Sequence, residues 1–133
     1  MGSEFLFVYG KLKKGFNNRA RKKLKENSLF VGDAEFNGKL FRINGYPGAI
    51  KSNNSSDIVY GELYKIKNHV SVFKILDEFE ECSDTFDKPA LFKRKICKVR
   101  IEKKYEYAWI YLYNLATRGL PKIKTGKFMQ ADK

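Results

Sequence analysis

The feature that most constrains the fold is a pair of alternating segments in the second half of the sequence. In ICKVRI (96–101), Cys97, Val99 and Ile101 alternate with the basic Lys98 and Arg100, and YEYAWIYLYN (105–114) places an aromatic residue at every odd position from 105 to 113. Side chains with a period of two share one face of a β-strand. The other face of the second segment is also apolar, through Ala108, Ile110 and Leu112. The two segments therefore predict strands, and the second is expected to be buried on both sides.

Two apolar segments predict strands in the first half. FLFVY (5–9) is a short apolar run that Gly10 ends, as in a buried strand followed by a turn. IVYGELYKI (58–66) is also strand-like, and Gly61 within it indicates either a bulge or a close approach of another backbone.

Turn signals accompany two more extended segments. AEFNGKLFRI (34–43) predicts a strand, or a hairpin around Asn37–Gly38, because Asn-Gly is the dipeptide that two-residue hairpin turns favour. GYPGAI (45–50) predicts a turn that leads into an extended segment.

Two segments predict helices. NNRARKKLKEN (17–27) begins with asparagines that can cap a helix and continues with good helix formers. NHVSVFKILDEFEEC (68–82) begins with a potential cap, Asn68, and runs to Glu81, which is long enough for about three to four turns. Strands outnumber helices and are joined by hairpins rather than alternating with helices. The expected fold is therefore α+β, with a curved, mostly antiparallel sheet or small barrel of about five to seven strands.

The length bounds the organisation of the chain. With 133 residues, it fits one domain, and a single domain over residues 4–133 is expected. No apolar run reaches the roughly 20 residues that cross a bilayer, and no charged-then-apolar leader opens the sequence. We therefore expect a cytoplasmic protein that does not contact a membrane, as a monomer or weak dimer.

Cysteine and histidine give little support for metal or nucleophile chemistry. Cys82 and Cys97 have no His or Cys at metal-ligand spacing. The one histidine, His69, stands at the predicted helix start, where an exposed side chain is expected, and any Ser-His-Asp or Cys-His arrangement would need it. We expect buried or inactive thiols and no metal.

The basic residues are unevenly distributed. The net charge is +12, and the stretch from Lys11 to Lys25, here called the basic stripe, holds eight of the 27 Lys and Arg residues. Such a stripe can be the electrostatic footprint of a nucleic-acid binder, or it can serve solubility alone. Because no helix-turn-helix, zinc finger or RNP motif accompanies it, specific nucleic-acid binding is not expected, although weak binding at low salt is.

The acidic segment LDEFEE (76–81) lies in the second predicted helix. On a helical wheel with Val70 at zero, the apolar side chains occupy one arc, while Glu78 at about 80° and Glu81 at about 20° lie on the polar side. Asp77 at about 340° lies just past the edge of the arc and is expected to cap or pair locally. Glu80 alone falls inside the arc, at about 280°.

Two interpretations of Glu80 remain open from the wheel. A carboxylate directed toward the core loses hydration, which raises its pKa and makes it a better base. Alternatively, Glu80 is a buried partner of an Arg or Lys from a strand, such as Arg94. The wheel favours neither.

Six segments, in order along the chain, resemble the γ-glutamylcyclotransferase-like (AIG2-like) family. The first, FVYGKLKKGFNN, is similar to the family's FVYGTL opening, and LDEFEEC is similar to its LDxxE helix. DEFEEC followed by LFKRKICKVRI is most similar to the γ-glutamylamine cyclotransferase branch. The other similar segments are GYPGAI, VYGELYKI, AWIYLY and KTGKF, so that the resemblance extends from Phe5 to Phe128.

The resemblance implies the γ-glutamylcyclotransferase-like fold and a reaction that needs no cofactor. The α-amino nitrogen of a small γ-glutamyl substrate attacks its own γ-carbonyl, which closes a five-membered ring, gives 5-oxoproline and expels an amine. The family assigns the acid and base work to the last Glu of LDxxE, which is Glu80 in this sequence. It assigns the holding of the γ-glutamyl group to the YGxL turn, here Tyr9, Gly10, Lys11 and Leu12.

Within this turn, Gly10 would let the backbone approach the ligand, Tyr9 would supply a wall or a hydroxyl, and Leu12 would anchor the turn in the core. Position 11 is Lys where the family usually has Ser or Thr, so a hydroxyl contact is lost while the ammonium can attract a carboxylate. The connection 83–90 is longer than in the γ-glutamylamine branch, and Phe92 replaces the usual Tyr.

Three functional hypotheses follow. The first is an enzyme that releases 5-oxoproline from a γ-glutamyl amine or peptide, with neutral or acidic leaving groups favoured by the basic surroundings. The second uses the same chemistry to remove a γ-glutamyl protecting group from a biosynthetic product. The third is a catalytically silent family member that binds an anionic partner through the basic stripe.

Overall fold

A computed structural model describes residues 4–80 and 89–129, and this part of the chain forms six strands and two helices. In chain order the elements are β1 (Phe5–Val8), α1 (Arg19–Glu26), β2 (Ser28–Ile43), β3 (Tyr46–Lys51), β4 (Ile58–Ile66), α2 (His69–Phe79), β5 (Phe92–Ile101) and β6 (Lys104–Tyr113). Neither helix has the length and apolar character that a membrane-crossing helix needs.

Five strands close into a barrel. The order is β1, β4, β2, β5 and β6, and β6 pairs back to β1 in parallel, with Leu6 opposite Trp109. The other four pairings are antiparallel. The sixth strand, β3, pairs antiparallel with the end of β2 and meets β6 at Ala49 and Leu112. The prediction of a small, mostly antiparallel barrel in an α+β fold is confirmed.

The core has two parts, one inside the barrel and one between its outer face and the helices. The interior is filled by side chains from all six strands and from the segments that follow β1 and β6, among them Phe7, Phe36, Leu63, Ile110 and Phe128. The outer part joins α1 and α2 to the sheet and includes Leu6, Leu24, Val72, Leu76 and Tyr111. Along β1 and the residue after it, Phe7 and Tyr9 belong to the first part and Leu6 and Val8 to the second, so this segment contributes to both.

The hairpin lies at a different Asn-Gly from the predicted one. Asn37 and Gly38 are interior residues of the continuous strand β2, so the alternative of a hairpin there is wrong. The turn between β2 and β3 is instead Asn44–Gly45, whose φ angles of 45° and 88° suit a two-residue hairpin. A Cβ at Gly38 would lie 2.4 Å from the carbonyl oxygen of Ile50, so glycine is required there by a close strand.

The remaining predicted strands are present, but the strand predicted over 34–43 begins at Ser28 and the one predicted over 96–101 begins at Phe92. Two further details differ. Gly61 is a site of close approach, because a Cβ there would lie 2.3 Å from the Val8 carbonyl oxygen, and the bulge lies instead between Phe30 and Gly32 in β2. On β6, Tyr105 and Tyr107 are 63% and 62% exposed. The prediction of burial on both sides is therefore wrong for the first half of β6.

The helix starts differ in how they are capped. The side chain of Asn18 accepts a hydrogen bond from the Arg21 N–H at 2.7 Å, as expected for the N-cap of α1. Asn68 stands at the N-cap of α2 but donates its amide to Asn27 at 3.0 Å, so the predicted side-chain cap is wrong. His69 begins α2 and is exposed, as predicted.

The two cysteines can be compared with the prediction only in part. Cys97 is buried, and this burial raises the pKa of its thiol. Cys82, Glu81 and most of the connection 83–90 lie outside the described residues.

Candidate active site

A pocket of about 200 Å³ lies at the end of β1, between the turn that follows this strand and the end of α2. The five residues predicted for the site, Glu80 and the turn Tyr9 to Leu12, all line it. The sequence did not indicate the rest of the wall, which is apolar or aromatic and consists of Phe7, Val8, Tyr46, Pro47, Phe79, Phe92 and Tyr111. Lys11 and Glu80 are the only charged side chains among the described lining residues.

The turn after β1 is fixed by contacts on three sides. The Lys13 N–H donates to the Gly10 carbonyl at 3.1 Å, and the Asn18 side chain donates to the Lys11 carbonyl at 2.9 Å. A Cβ at Gly10 would lie 2.7 Å from Cγ of Pro47, so the glycine lets the turn pack against this ring. Leu12 is 2% exposed and lies in the outer part of the core, where the sequence placed it.

Tyr9 presents its ring to the pocket while its hydroxyl is used inside the fold. The hydroxyl donates to the Tyr111 carbonyl at 2.5 Å and accepts from the Ala49 N–H at 3.1 Å. Burial and the nearby Glu80 charge raise its pKa well above the usual range, against the opposing effect of the hydrogen bond from the Ala49 N–H. Of the two alternatives for Tyr9, the structure thus favours the wall over the hydroxyl.

Glu80 stands at the C-cap of α2, directly after the last helical residue. Its backbone N–H donates to the Leu76 carbonyl at 2.9 Å, which orients the residue as a continuation of the helix. Among residues 4–80 and 89–129, the Glu80 carboxylate has no hydrogen bond or ion pair. The loss of hydration raises its pKa to about 7, against the opposing effect of the Lys11 ammonium.

The cation considered as a partner for Glu80 binds a different carboxylate. Nε of Arg94 donates to Oδ1 of Asp77 at 2.9 Å, and Nη2 donates to Oδ2 at 3.2 Å. The alternative of an ion pair between Glu80 and Arg94 is therefore wrong. Asp77, which the wheel placed at the edge of the apolar arc, is the residue that pairs.

Tyr111 is the other polar group that sequence reasoning did not connect with the site. Its hydroxyl donates to Oδ1 of Asp77 at 2.5 Å, and its ring lines the pocket beside Glu80. The helical spacing did indicate that Asp77 lies close to the site, because Asp77 precedes Glu80 by three residues and lies on the same side of α2. The sequence does not show the register of α2 against β6, and this register determines that Tyr111 contacts Asp77.

The exposure of Phe79 differs from what the helical wheel predicts, whereas that of Glu78 agrees with it. Phe79 lies near the middle of the predicted apolar arc but is 39% exposed, because it forms part of the pocket wall at the end of the helix. Glu78 is exposed, as predicted. The apolar arc is buried at Val72, Phe73 and Leu76.

The basic stripe does not form one continuous surface. Nζ of Lys13 donates to the Phe128 carbonyl at 2.6 Å, Nζ of Lys14 lies 3.2 Å from the centre of the Phe30 ring, and Arg21 is buried against Tyr64. Three of its eight cations thus hold the segment onto the barrel. Among the described residues, no three His, Cys, Asp or Glu side chains come together as metal ligands.

Comparison with known proteins relates the chain to enzymes named for γ-glutamyl substrates. The family model "Gamma-glutamyl cyclotransferase, AIG2-like" matches residues 6–130. The chain is 37% identical over 110 residues to the γ-L-glutamyl-butirosin B γ-glutamyl cyclotransferase of Niallia circulans, with 82% of this chain and 66% of that protein covered. It is 34% identical over 116 residues to γ-glutamylaminecyclotransferase B of Danio rerio, with 80% and 57% covered.

The fold comparison agrees with the sequence comparison. The solution structure of YtfP from Escherichia coli superposes with a TM-score of 0.62 at 29% identity, covering 97% of this chain and 99% of that one. The match to the family model spans both sides of the pocket, from the turn after β1 to the aromatic strand β6. The chain belongs to the γ-glutamyl cyclotransferase, AIG2-like family.

Proposed function

We propose that this protein is a γ-glutamyl cyclotransferase that releases 5-oxoproline from a γ-glutamyl amine or γ-glutamyl peptide. The observation that carries the proposal is the position of Glu80, a carboxylate without a paired cation among the described residues, which shares an apolar pocket with the turn Tyr9 to Leu12. Family membership supports the reaction type. The relatives' names support a γ-glutamyl donor without fixing the amine that leaves.

The proposed reaction is an exchange of one amide for another within the substrate. The α-amino nitrogen forms a bond to the γ-carbonyl carbon, and the bond from this carbon to the departing nitrogen breaks. Because nucleophile and electrophile belong to one molecule, holding them together removes much of the entropic barrier, with effective molarities that reach about 10⁵ M or more. The protein then has to orient the chain of the glutamyl group and move protons.

Glu80 is proposed to move both protons. As a carboxylate it takes a proton from the α-ammonium, and as a carboxylic acid it passes this proton to the departing nitrogen. The attacking nitrogen gives up a second proton as it becomes the lactam N–H, and Glu80 passes it on in the same way. The amine therefore leaves as its ammonium, and no net proton is gained or lost. A pKa of about 7 suits both steps near neutral pH, because neither form of the carboxyl group is rare.

The turn after β1 is proposed to hold the glutamyl head group. Backbone N–H groups at a glycine-containing turn form a concave site for an anion, here the substrate α-carboxylate. Lys11 supplies the one cation among the described lining residues and is the natural partner for the same carboxylate. Glu80 on the opposite wall then meets the α-ammonium, so the two charges of the pocket match the two charges of the substrate.

A second candidate is the removal of a γ-glutamyl group from a larger biosynthetic product. The observation in its favour is the 37% identity to a relative that is named for γ-L-glutamyl-butirosin B. This candidate shares the pocket, the base and the product 5-oxoproline, and differs only in the leaving amine.

The test is a 5-oxoproline assay with γ-glutamyl-ε-lysine, γ-glutamyl-alanine and glutathione. We expect product from at least one donor with the wild type, and a loss of about 100-fold or more with Glu80→Gln. Glu78→Gln removes a carboxylate from the exposed side of the same helix and is the matched control, expected to retain full activity.

Two results would count against the proposal. If no γ-glutamyl donor, including γ-L-glutamyl-butirosin B, yields 5-oxoproline, the chain is a silent family member and binding of anions by the basic stripe becomes the hypothesis to pursue. If Glu80→Gln retains the rate of Glu78→Gln, the enzyme stands but the base is a different group.

A further inference from the structure

One row of side chains on α2 runs from the core to the pocket. Phe73, Asp77 and Glu80 follow each other at spacings of four and three residues, so they lie on one side of the helix. Phe73 packs edge-on against Trp109 of β6 with ring centres 6.0 Å apart, and Asp77 contacts Tyr111, two residues further along the same strand. The row on the helix therefore follows the row on β6.

Arg94 joins the two rows. Its guanidinium lies 4.0 Å from the centre of the Phe73 ring and 4.4 Å from that of Trp109, so it is held between two aromatic faces. From this position it donates to both oxygens of Asp77. A planar guanidinium that stacks and binds a carboxylate with two bonds has little freedom to turn. The pair fixes the last turn of α2 to β5 and β6, one turn before Glu80.

Asp77 also determines where the Tyr111 hydroxyl points. A tyrosine hydroxyl has a single proton to donate, and that of Tyr111 goes to Asp77. The proton of the Tyr9 hydroxyl goes to the Tyr111 carbonyl. Both phenols therefore line the pocket of Glu80 while their protons are used elsewhere, and neither donates to the Glu80 carboxylate.

We propose that Asp77 and Arg94 are positioning residues for Glu80. The pair holds the end of α2 in place, and Asp77 keeps the Tyr111 proton away from the catalytic carboxylate of Glu80. The proposal rests on the proposed function, in which Glu80 is the acid and base. A hydrogen bond from Tyr111 to Glu80 would stabilise the carboxylate form and make it a weaker base. Asp77, by accepting that hydrogen bond itself, preserves the basicity of Glu80.

Among the described residues that line the pocket with Glu80, the others do not accept the Tyr111 proton as Asp77 does. Lys11 of the turn after β1 is the remaining charged side chain among the described lining residues, and it favours the ionised form of Glu80. Tyr46 and Tyr9 contribute aromatic rings to the wall, and β5 contributes Phe92. Removal of the Asp77 carboxylate would thus change the surroundings of Glu80 in two ways, through the released Tyr111 hydroxyl and through the unpaired Arg94 guanidinium. The double variant Asp77→Ala/Tyr111→Phe keeps only the second change and so separates the two.

The test compares Asp77→Ala with the double variant Asp77→Ala/Tyr111→Phe. The first readout is the titration of the Glu80 carboxyl carbon by NMR, which needs no substrate. In Asp77→Ala the Tyr111 hydroxyl is released, and we expect the Glu80 pKa to fall by about one unit; in the double variant it returns toward the wild-type value. Glu78→Ala, a carboxylate of the same helix without these contacts, is expected to leave it unchanged.

The second readout is the kinetics of 5-oxoproline release with a donor that the wild type accepts. For Asp77→Ala we expect kcat to fall about tenfold or more while KM changes less than about threefold, since the base is displaced while the turn that binds the substrate is intact. Arg94→Lys keeps the charge but loses the two-bond contact, and it replaces Asp77→Ala if that variant does not fold. For it we expect kcat to fall about threefold or more.

The outcomes separate this proposal from the proposed function. A Glu80 titration and a kcat at wild-type values in Asp77→Ala, or in Arg94→Lys where that variant replaces it, would overturn the positioning role. So would a lowered pKa that Tyr111→Phe does not restore. A wild type that releases no 5-oxoproline would refute the proposed function alone, because the titration of Glu80 still decides whether Asp77 controls its basicity.

Discussion

Glu80 gives the stability of the fold a pH dependence of its own. Its pKa rises from 4.5 to about 7 on folding, so between these values the folded state binds more protons than the unfolded state. Stability from this residue is therefore fully present below about pH 4.5 and is lost as the pH rises through about 7. The loss amounts to about 1 to 3 kcal/mol, allowing for the access of water through the pocket.

We predict that Glu80→Gln is more stable than the wild type at pH 8 by about 1 to 3 kcal/mol, and that this advantage disappears toward pH 4.5. Glutamine has nearly the same shape and carries no charge that must be desolvated. Urea unfolding at both pH values, with Glu78→Gln as the exposed control, measures the difference. An advantage that is independent of pH would show that the Glu80 pKa is not raised.

Lys11 is predicted to set the lower limit of the working pH range. Its ammonium lowers the Glu80 pKa against the effect of burial, so its removal raises that pKa further above the ordinary value. In Lys11→Met, the acidic limb of the kcat/KM profile should move to higher pH by several tenths of a unit to about one unit.

Lys25→Met is the control for this shift, because Lys25 is an exposed cation of the basic stripe that lies on α1 and does not line the pocket. Its acidic limb should coincide with that of the wild type. Equal shifts in both variants would mean that overall charge, rather than Lys11, sets the profile.

Asn18 links the start of α1 to the turn after β1. Its side-chain oxygen accepts from the Arg21 N–H, and its amide donates to the Lys11 carbonyl at 2.9 Å. Asn18→Asp keeps the acceptor and loses the donor, whereas Asn18→Ala loses both. We predict that Asn18→Ala lowers the free energy of unfolding by about 1 to 2 kcal/mol through the lost cap, and that Asn18→Asp lowers it by much less.

Both variants of Asn18 are expected to raise KM for the γ-glutamyl donor by about threefold or more, because the turn that holds the head group loses a contact that fixes it. Thermal or urea unfolding and steady-state kinetics of the two variants separate the effects. If KM rises in Asn18→Ala but not in Asn18→Asp, the loss of the helix cap, rather than the contact with the turn, controls binding.

At the level of the elements, apolar and alternating segments indicated which parts of the chain form strands but not where β2 and β5 begin, and glycine dipeptides were not sufficient to locate the turn. Both Asn37–Gly38 and Asn44–Gly45 carry the same turn signal. In β2, Asn37 pairs with Ile58 of β4 and Gly38 with Lys51 of β3, so the chain is held extended between two partners. Which dipeptide turns is therefore decided by pairing between distant segments.

The candidate site was predictable where one element carries the information and not where two elements meet. The position of Glu80 on its helix followed from the wheel, and the turn after β1 followed from family-like residues. Arg94 was considered as a partner for Glu80 and not for Asp77. The wheel gives the angle of each side chain around the axis of α2, but not the position along that axis at which β5 crosses the helix. Asp77 lies one turn before Glu80 on α2, and in the structure its Oδ1 lies 2.9 Å from Nε of Arg94.

At the level of the whole molecule, the charge of +12 predicts weak binding to nucleic acid that depends on salt and not on sequence. We expect similar affinity for unrelated oligonucleotides at about 20 mM salt and a loss of at least about tenfold at 200 mM. Fluorescence anisotropy with two unrelated sequences measures both. Affinity that differs between sequences and persists at 200 mM salt would indicate a specific surface on the basic stripe.

The closure of the barrel through β1 and β6 has a consequence for synthesis of the protein. The pocket combines the turn after β1 with Tyr111, and Leu6 is paired with Trp109, more than 100 positions later in the chain. A nascent chain on the ribosome can form the hairpin of β2 and β3 early, but β1 has only one of its two neighbours until β6 emerges. Contacts between such distant residues slow folding, because a long loop must close before they are gained. The first strand to be synthesised is thus among the last to gain both of its neighbours, and the pocket forms late in the folding of the chain.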